Sequence, residues 1–191
     1  MGTVRLTMAQ ALVRFLAAQR TEIDGQILPI FGGVWAIFGH GNVAAVGEAL
    51  GAARDELATF RAHNEQAMAH AAIGFAKANF RRRFMAATSS IGPGAANMVT
   101  AAALAHVNRL PLLLLPGDVF ANRIPDPVLQ QAEDFGDGTV TVNDCFRPVS
   151  RYFDRITRSE QIIPAAQRAM AVLTDPAECG PVTLSLCQDV Q

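Results

Sequence analysis

The sequence predicts an α/β protein of three layers, in which helices cover both faces of a mainly parallel sheet. Short apolar segments alternate with segments of helical periodicity along the chain, and this alternation is typical of strands that are joined by helices. Residues 110–116 are almost wholly apolar, as expected of a strand that is buried on both faces. Polar or glycine-containing loops follow the predicted strands, and parallel sheets bind ligands at such positions.

Length and composition indicate one ordered domain. The chain has 191 residues, of which 50% are hydrophobic and 17% are charged, so we expect a single hydrophobic core. A formal net charge of −1 gives no support to binding of nucleic acid or of an anionic membrane surface. The three cysteines include no CxxC pair, which fits a reducing compartment. Since the sequence shows neither a signal peptide nor a long apolar span, we expect a cytoplasmic protein.

The periodicity of apolar residues and the turn signals between them predict the order of the elements. Thr7 and Gln10 have the spacing of a capping box, and we expect Asn42 and Ser159 to cap the helices that follow them. The predicted helices span residues 7–19, 43–50, 65–79, 95–108, 127–134 and 159–173. The predicted strands span residues 34–38, 57–61, 84–88, 110–116, 149–153 and 181–187.

Three predicted loops carry residues that could do chemistry, namely 39–42, 63–66 and 89–97. Glycines in the last loop allow the backbone to approach a ligand, and the helix beyond it begins with unpaired N–H groups. The loop has neither the lysine of a P-loop nor the GxGxxG spacing of a dinucleotide fold. Taken alone, it is either a plain strand-to-helix turn or a ligand loop. Glu65 is likewise either a carboxylate favoured by the helix dipole or a functional one.

Two segments at a matching separation resemble the acetolactate synthase superfamily of thiamine diphosphate enzymes. Residues 64–78 resemble the helix that carries its activating glutamate, and residues 88–112 resemble the strand, loop, helix and strand that follow. The resemblance covers nearly the whole chain. It implies that residues 1–191 form an N-terminal pyrimidine-binding domain with a flavodoxin-like fold. Asn64 stands where many members have a histidine before the glutamate, which favours a specialised branch.

Further segments resemble a branch of the superfamily that hydrolyses a carbon–carbon bond in a cyclic dione during inositol breakdown. They are residues 5–7, 37–43, 64–66, 125–131, 148–152, 154–158 and 188–190. The resemblance implies an enzyme with a small cyclic dione as its substrate. Two alternatives remain open: a lyase or carboligase similar to acetolactate synthase, and a flavodoxin-like binding module without catalytic function.

The resemblance also implies roles for particular residues. Glu65 matches the glutamate that hydrogen-bonds the aminopyrimidine ring of thiamine diphosphate, so it is expected to be catalytic and to bind the cofactor. His40 is expected to act as an acid–base group near the substrate. The other expected cofactor-binding residues are Ser90, Gly92 and Asn97, and the other expected substrate-binding residues are Gly39 and Asn42.

Part of the active site is expected to lie outside this chain. In the superfamily another domain holds the diphosphate and Mg²⁺, and the site forms between subunits. The resemblance therefore implies a homo-oligomer, in which thiamine diphosphate is shared and Mg²⁺ is bound only by the absent domain, and it implies a catalytically silent isolated chain. Residues 136–138 with Asn143 resemble the superfamily's GDG…N magnesium motif, but their separation is far too short. No metal ligand is predicted in this chain.

Overall fold

The computed structural model describes residues 2–191, so Met1, the first residue of the predicted domain, lies outside the described part. Its strands are β1 (Arg20–Ile23), β2 (Gln26–Pro29), β3 (Phe31–Ile37), β4 (Thr59–Phe60), β5 (Phe84–Ser89), β6 (Leu112–Asp118), β7 (Tyr152–Ile156) and β8 (Pro181–Cys187). Six of them form one sheet in the order β4-β3-β5-β6-β8-β7, in which every pairing is parallel. Strands β1 and β2 form a separate antiparallel hairpin.

Helices cover both faces of the large sheet. They are α1 (Met8–Ala18), α2 (Gly39–Asn42), α3 (Glu48–Ala52), α4 (Glu65–Ala78), α5 (Pro93–Ala96), α6 (Val99–Val107) and α7 (Ile162–Leu173). Helices α1, α3 and α7 share one hydrophobic cluster with the sheet, and α4 and α6 share a second cluster on the opposite face. A 3-10 helix at Val142–Val149 lies on the same side as α4 and α6. The predicted three-layer α/β architecture is confirmed.

The apolar run in β6 shows why the strands read as continuous hydrophobic segments. Leu113 and Leu115 belong to the cluster beneath α1, α3 and α7, whereas Leu112 and Leu114 belong to the cluster beneath α4 and α6. Successive side chains of a strand point to opposite faces. All four are at most 1% exposed, because each face of the strand is covered by helices.

Helix α1 confirms its predicted start. The backbone N–H of Gln10 donates to Oγ1 of Thr7 at 3.1 Å, and the Gln10 side chain accepts from the Thr7 N–H at 3.0 Å. This pair satisfies two backbone donors that the first helical turn leaves free. Leu12, Val13 and Leu16 form the buried face of the helix, as their spacing predicted.

The predicted loop at 39–42 is wrong, and so is the predicted cap at Asn42. Residues 39–52 are helical throughout, with a π-helical turn at Val43–Gly47 between α2 and α3. The Asn42 side chain makes no capping hydrogen bond. It points instead to the ends of β5 and β6, which are distant in sequence.

The chain after β6 also departs from the prediction. No helix forms at 127–134, where Gln130 has a φ of 64° that a right-handed helix cannot accommodate. The strand predicted at 149–153 lies a few residues later, at Tyr152–Ile156. Ser159 does not cap the last helix; it begins a short 3-10 turn, Ser159–Gln161, ahead of α7.

The β1–β2 hairpin was not predicted from the periodicity, although its turn has a recognisable sequence. Asp24 and Gly25 form its two-residue turn, with φ angles of 52° and 79°. Two positive φ angles define a type I′ turn, for which Asp-Gly is a preferred sequence. Two neighbouring residues therefore suffice to indicate the turn of this hairpin.

Leu114 provides a test of the two-sided core. We expect Leu114→Ala to lower the free energy of unfolding by about 2–5 kcal/mol, since a fully buried leucine would leave a cavity. The matched control is Leu129→Ala, at a side chain that is 70% exposed; a change below about 0.5 kcal/mol is expected there. Urea denaturation of both variants measures the difference, and equal effects would contradict the described core.

Candidate functional site

A cleft of about 380 Å³ opens at the carboxyl ends of β3 and β5. Its lining residues are Ile37, Gly39, Glu65, Ser90, Pro93, Gly94, Asn97 and Gln130. Four of the residues predicted for the site therefore share one cleft, although they come from three separate parts of the chain. A larger open groove of about 810 Å³ lies between residues 5–10, 157–160 and 189–191, and it contains none of the predicted site residues. We therefore take the smaller cleft as the candidate site.

Glu65 stands at the first position of α4, where the positive end of the helix dipole favours a carboxylate. The helix begins there because the Asn64 side chain accepts a hydrogen bond from the N–H of Ala67 at 2.8 Å. Oε2 of Glu65 accepts a hydrogen bond from Nδ2 of Asn97 at 2.9 Å. Among residues 2–191, Oε1 has no hydrogen-bond partner. One carboxyl oxygen is thus held in place and the other remains available.

Gly94 keeps the available oxygen accessible. A β-carbon at this position would lie 3.2 Å from Oε1 of Glu65 and 3.5 Å from Cβ of Ser90. A larger side chain would therefore fill the space beside the carboxyl group. The absence of a side chain at residue 94 lets a ligand approach Glu65 from within the cleft.

The turn after β5 depends on glycine at residue 92. Gly92 has a φ of 59°, and a β-carbon there would lie 2.1 Å from the carbonyl oxygen of Gln130. Next to it, Oγ of Ser90 donates a hydrogen bond to Oε1 of Gln130 at 3.0 Å. Gly92 does not line the cleft, but it allows the backbone of Gln130, which does, to pack closely.

Gln130 is a site residue that the sequence analysis did not select. It lines the cleft and contacts the turn after β5. Its only sequence signal was the resemblance of residues 125–131 to the cyclic dione branch. No local pattern places residue 130 beside residue 90, because that contact depends on the path of an irregular segment.

His40 and Asn42 do not line this cleft. Asn42 is fully buried, and its side-chain amide donates to Oγ1 of Thr88 and to the carbonyl oxygen of Ser89, both at 2.9 Å. Its Oδ1 accepts from Nε2 of Gln191 at 2.7 Å. Nε2 of His40 is a buried atom without a hydrogen-bond partner among the described residues. A substrate role for either residue stays a prediction.

A buried polar cluster lies at the end of β6. Asp118 accepts hydrogen bonds from Nε of Arg155 and Oγ of Ser185, both at 2.7 Å. Burial by itself lowers the pKa of Arg155, but the charge and hydrogen bond of Asp118 outweigh it and raise the pKa above its usual value. Burial, and then the Asp118 charge, raise the pKa of Cys187 to about 12. Cys187 is therefore a neutral thiol at physiological pH and not a nucleophile.

Over residues 2–191 we find no group of three or more His, Cys, Asp or Glu side chains placed to hold a metal ion. Residues 136–138 form part of an exposed turn, in which hydrogen bonds from Thr139 lower the pKa of Asp137. Asn143 is buried elsewhere and donates to the Gly117 carbonyl oxygen at 2.9 Å. None of the helices in this part of the chain has both the length and the apolar character needed to cross a membrane.

The fold agrees with a comparison to known families. Residues 33–137 match the family described as thiamine pyrophosphate enzyme, N-terminal TPP binding domain. The chain belongs to this family, whose cofactor is also called thiamine diphosphate.

Relatives that align with the whole chain share a more specific name. All 191 residues align with proteins named 3D-(3,5/4)-trihydroxycyclohexane-1,2-dione hydrolase, with 56% identity in Geobacillus thermodenitrificans, 55% in Bacillus cereus and 53% in Clostridium tetani. The chain spans 30% of the length of each of these relatives.

The residues of the cleft fit the aminopyrimidine half of thiamine diphosphate. Glu65 offers a carboxyl oxygen that no residue in the described part occupies, and Gly94 leaves the approach to that oxygen open. Gly39 has a φ of 51°, and a β-carbon there would lie 2.4 Å from Cβ of Ser90. Glycine at residue 39 therefore permits the close contact between two residues that line the cleft.

Gly92 is the sharpest test of the cleft's construction. We expect Gly92→Ala to lower the free energy of unfolding by roughly 1–3 kcal/mol from the left-handed backbone alone, with a further loss from the contact with the Gln130 carbonyl. Gly138→Ala is the control, since no atom lies within 4 Å of its β-carbon position. Thermal or urea unfolding compares the two variants, and a Gly92→Ala protein as stable as the control would contradict this account.

Proposed function

We propose that this chain is the N-terminal, cofactor-activating domain of a thiamine diphosphate-dependent hydrolase. Its substrate would be trihydroxycyclohexane-1,2-dione, whose ring opens to 5-deoxy-glucuronate during myo-inositol catabolism. The proposal is carried by the Glu65 carboxyl group, held at one oxygen and free at the other within the cleft. It is supported by the names of relatives that are 53–56% identical over the whole chain.

Glu65 would act on the cofactor through a proton. Thiamine diphosphate, when bound, supplies a carbon nucleophile that attacks a carbonyl group. Asn97 already donates to Oε2, so Oε1 is the oxygen left to hold a proton against the pyrimidine ring. A fixed carboxyl group need not reorganise when that proton moves, which is how preorganised polar groups accelerate reactions.

Substrate contacts are assigned to the segment that follows β3. We propose that Gly39 and His40 lie beside the dione, and that the imidazole of His40 is an acid–base group. Its buried and unpartnered Nε2 supports a role for which a ligand supplies the missing partner. The Asn42 amide is already engaged by the ends of β5 and β6. Asn42 would therefore act on the substrate by fixing residues 39–41.

The remainder of the site would come from outside this chain. The relatives are more than three times as long as the segment they share with it. We propose that their additional length includes the part that binds the diphosphate and Mg²⁺, and that the complete site forms between subunits of a cytoplasmic homo-oligomer. Residues 2–191 then supply Glu65, Ser90, Gly92 and Asn97 to the pyrimidine side.

Glu65→Gln tests the assignment of the proton-holding group. In the complete gene product that carries this chain, we expect the variant to lose roughly 100-fold or more of its turnover, because general acid–base groups contribute at least that much. Glu48→Gln is the control, since Glu48 is an exposed glutamate in the first turn of α3. Steady-state rates and circular dichroism are measured for both, and a Glu65→Gln enzyme within twofold of the control would refute the role.

Substrate choice separates the proposed hydrolase from its alternatives. The complete gene product is incubated with thiamine diphosphate and Mg²⁺ and with either the cyclic dione or pyruvate. We expect ring opening of the dione and no consumption of pyruvate. Pyruvate consumption would favour an enzyme similar to acetolactate synthase, and inactivity on both would favour a non-catalytic binding module.

A further inference from the structure

Residues 119–141, which we call the connecting segment, join β6 to the 3-10 helix at Val142–Val149 through a series of turns. Val119 is buried where the segment leaves β6, but four of the larger apolar side chains further along are exposed to solvent and contribute little to its attachment. They are Ile124 (86% exposed), Leu129 (70%), Phe135 (58%) and Val140 (40%). Beyond its start, hydrophobic burial alone therefore does not explain the position of this segment, and polar contacts contribute to holding it.

Glu133 is the buried carboxylate of the connecting segment, at 9% exposure. Oε1 accepts a hydrogen bond from the N–H of Val142 at 2.8 Å and lies 3.1 Å from Oγ1 of Thr141. Oε2 accepts from the N–H of Ala132 at 3.1 Å. One side chain thus joins the middle of the segment to its end.

Thr141, which Glu133 contacts, is itself bonded to a residue of the sheet. Oγ1 of Thr141 lies 2.5 Å from Oδ1 of Asp118 and 3.1 Å from Oε1 of Glu133, so one hydroxyl lies within hydrogen-bond distance of both carboxylates. Asp118 is held in turn by Arg155 of β7 and Ser185 of β8. Glu133 is therefore connected through Thr141 to three neighbouring strands.

The residues that precede Glu133 extend to the cleft. Gln130 lies three residues before Glu133, hydrogen-bonds Ser90 and packs its carbonyl oxygen against Gly92. Gln130 lies within a turn that hydrogen bonds between Val128 and Gln131 close. Because only two residues separate Gln130 from Glu133, we expect a shift of Glu133 to move a residue that lines the cleft.

We propose that Glu133 is a positioning residue: it holds residues 128–133 against the turn after β5 and so sets the shape of the cleft on its Gln130 side. The anchoring itself depends only on the contacts described. Its effect on the reaction rests on the proposed function, because a widened cleft weakens binding of the dione before it weakens chemistry.

The test uses the complete gene product and four variants. Glu133→Ala removes both acceptors, Glu133→Asp keeps the charge but shortens its reach, and Glu133→Gln keeps an acceptor for the Val142 N–H. Asp134→Ala is the control, since Asp134 is the exposed neighbour and bonds only within its own turn. Hydrogen exchange is followed at the amides of residues 128–133 and 142, with β6 and β8 as the internal reference.

We expect Glu133→Ala to speed exchange at the amides of Ala132 and Val142 by roughly tenfold or more, because each of them loses its hydrogen bond to a charged group, while β6 and β8 stay unchanged. Glu133→Asp shows the same direction, which keeps the test decisive if Glu133→Ala does not fold. Glu133→Gln restores slow exchange in large part, and Asp134→Ala matches the wild type. Unchanged exchange in Glu133→Ala or in Glu133→Asp would overturn the anchoring.

Kinetics then test the effect on the cleft. We expect Glu133→Ala to raise the KM for the dione by about tenfold with a smaller change in kcat, as for loss of ground-state positioning, and Glu133→Gln to restore it. Faster exchange with an unchanged KM would overturn the effect on the cleft. A wild-type protein that is inactive on the dione counts against the proposed function, whereas the exchange result still decides the anchoring.

Discussion

Burial of the parallel sheet on both faces is the constraint on which the rest of this molecule depends. Leu112–Leu115 can be apolar at every position only because helices cover each side. A sheet covered in this way leaves its strand ends as the places where polar groups can gather. The cleft with Glu65 and the cluster around Asp118 both lie there. The same burial that supplies stability therefore selects the location of the site.

At the strand ends, polar side chains satisfy hydrogen-bonding groups that neighbouring strands would satisfy within the sheet. The Asn42 amide satisfies groups at the ends of β5 and β6, and a buried polar group with full hydrogen bonding is not costly. Glu65 receives one hydrogen bond from Asn97 and keeps one oxygen free. The two residues therefore differ in their free hydrogen-bonding capacity: the Asn42 amide is engaged within the chain, whereas Glu65 keeps one carboxyl oxygen without a partner among residues 2–191.

The connecting segment is held by a different balance of forces from the core. Four of its larger apolar side chains are exposed, whereas Glu133, Thr141 and Asp118 are buried, with Thr141 in contact with both carboxylates. Polar contacts are directional, so they define one position more sharply than apolar packing does, and each of them stabilises less than a buried leucine. The cleft wall formed by this segment therefore has a defined position, and that position depends on few contacts.

The sequence by itself determined the elements whose signals are local. The capping box at Thr7, the strand at Pro181–Cys187 and the helix that begins at Glu65 were all predicted from neighbouring residues. The resemblance to thiamine diphosphate enzymes, together with the strand-end rule, selected Glu65, Ser90 and Asn97, which do share a cleft. Only the tertiary structure decided that Gln130 joins them, that the Asn42 amide is hydrogen-bonded to the sheet, and that Glu133 anchors the connecting segment. The physical reason is that these contacts lie outside the range of local periodicity: Gln130 and Asn42 meet partners 40 and 46 positions away, and Glu133 meets Thr141 across a segment of irregular turns.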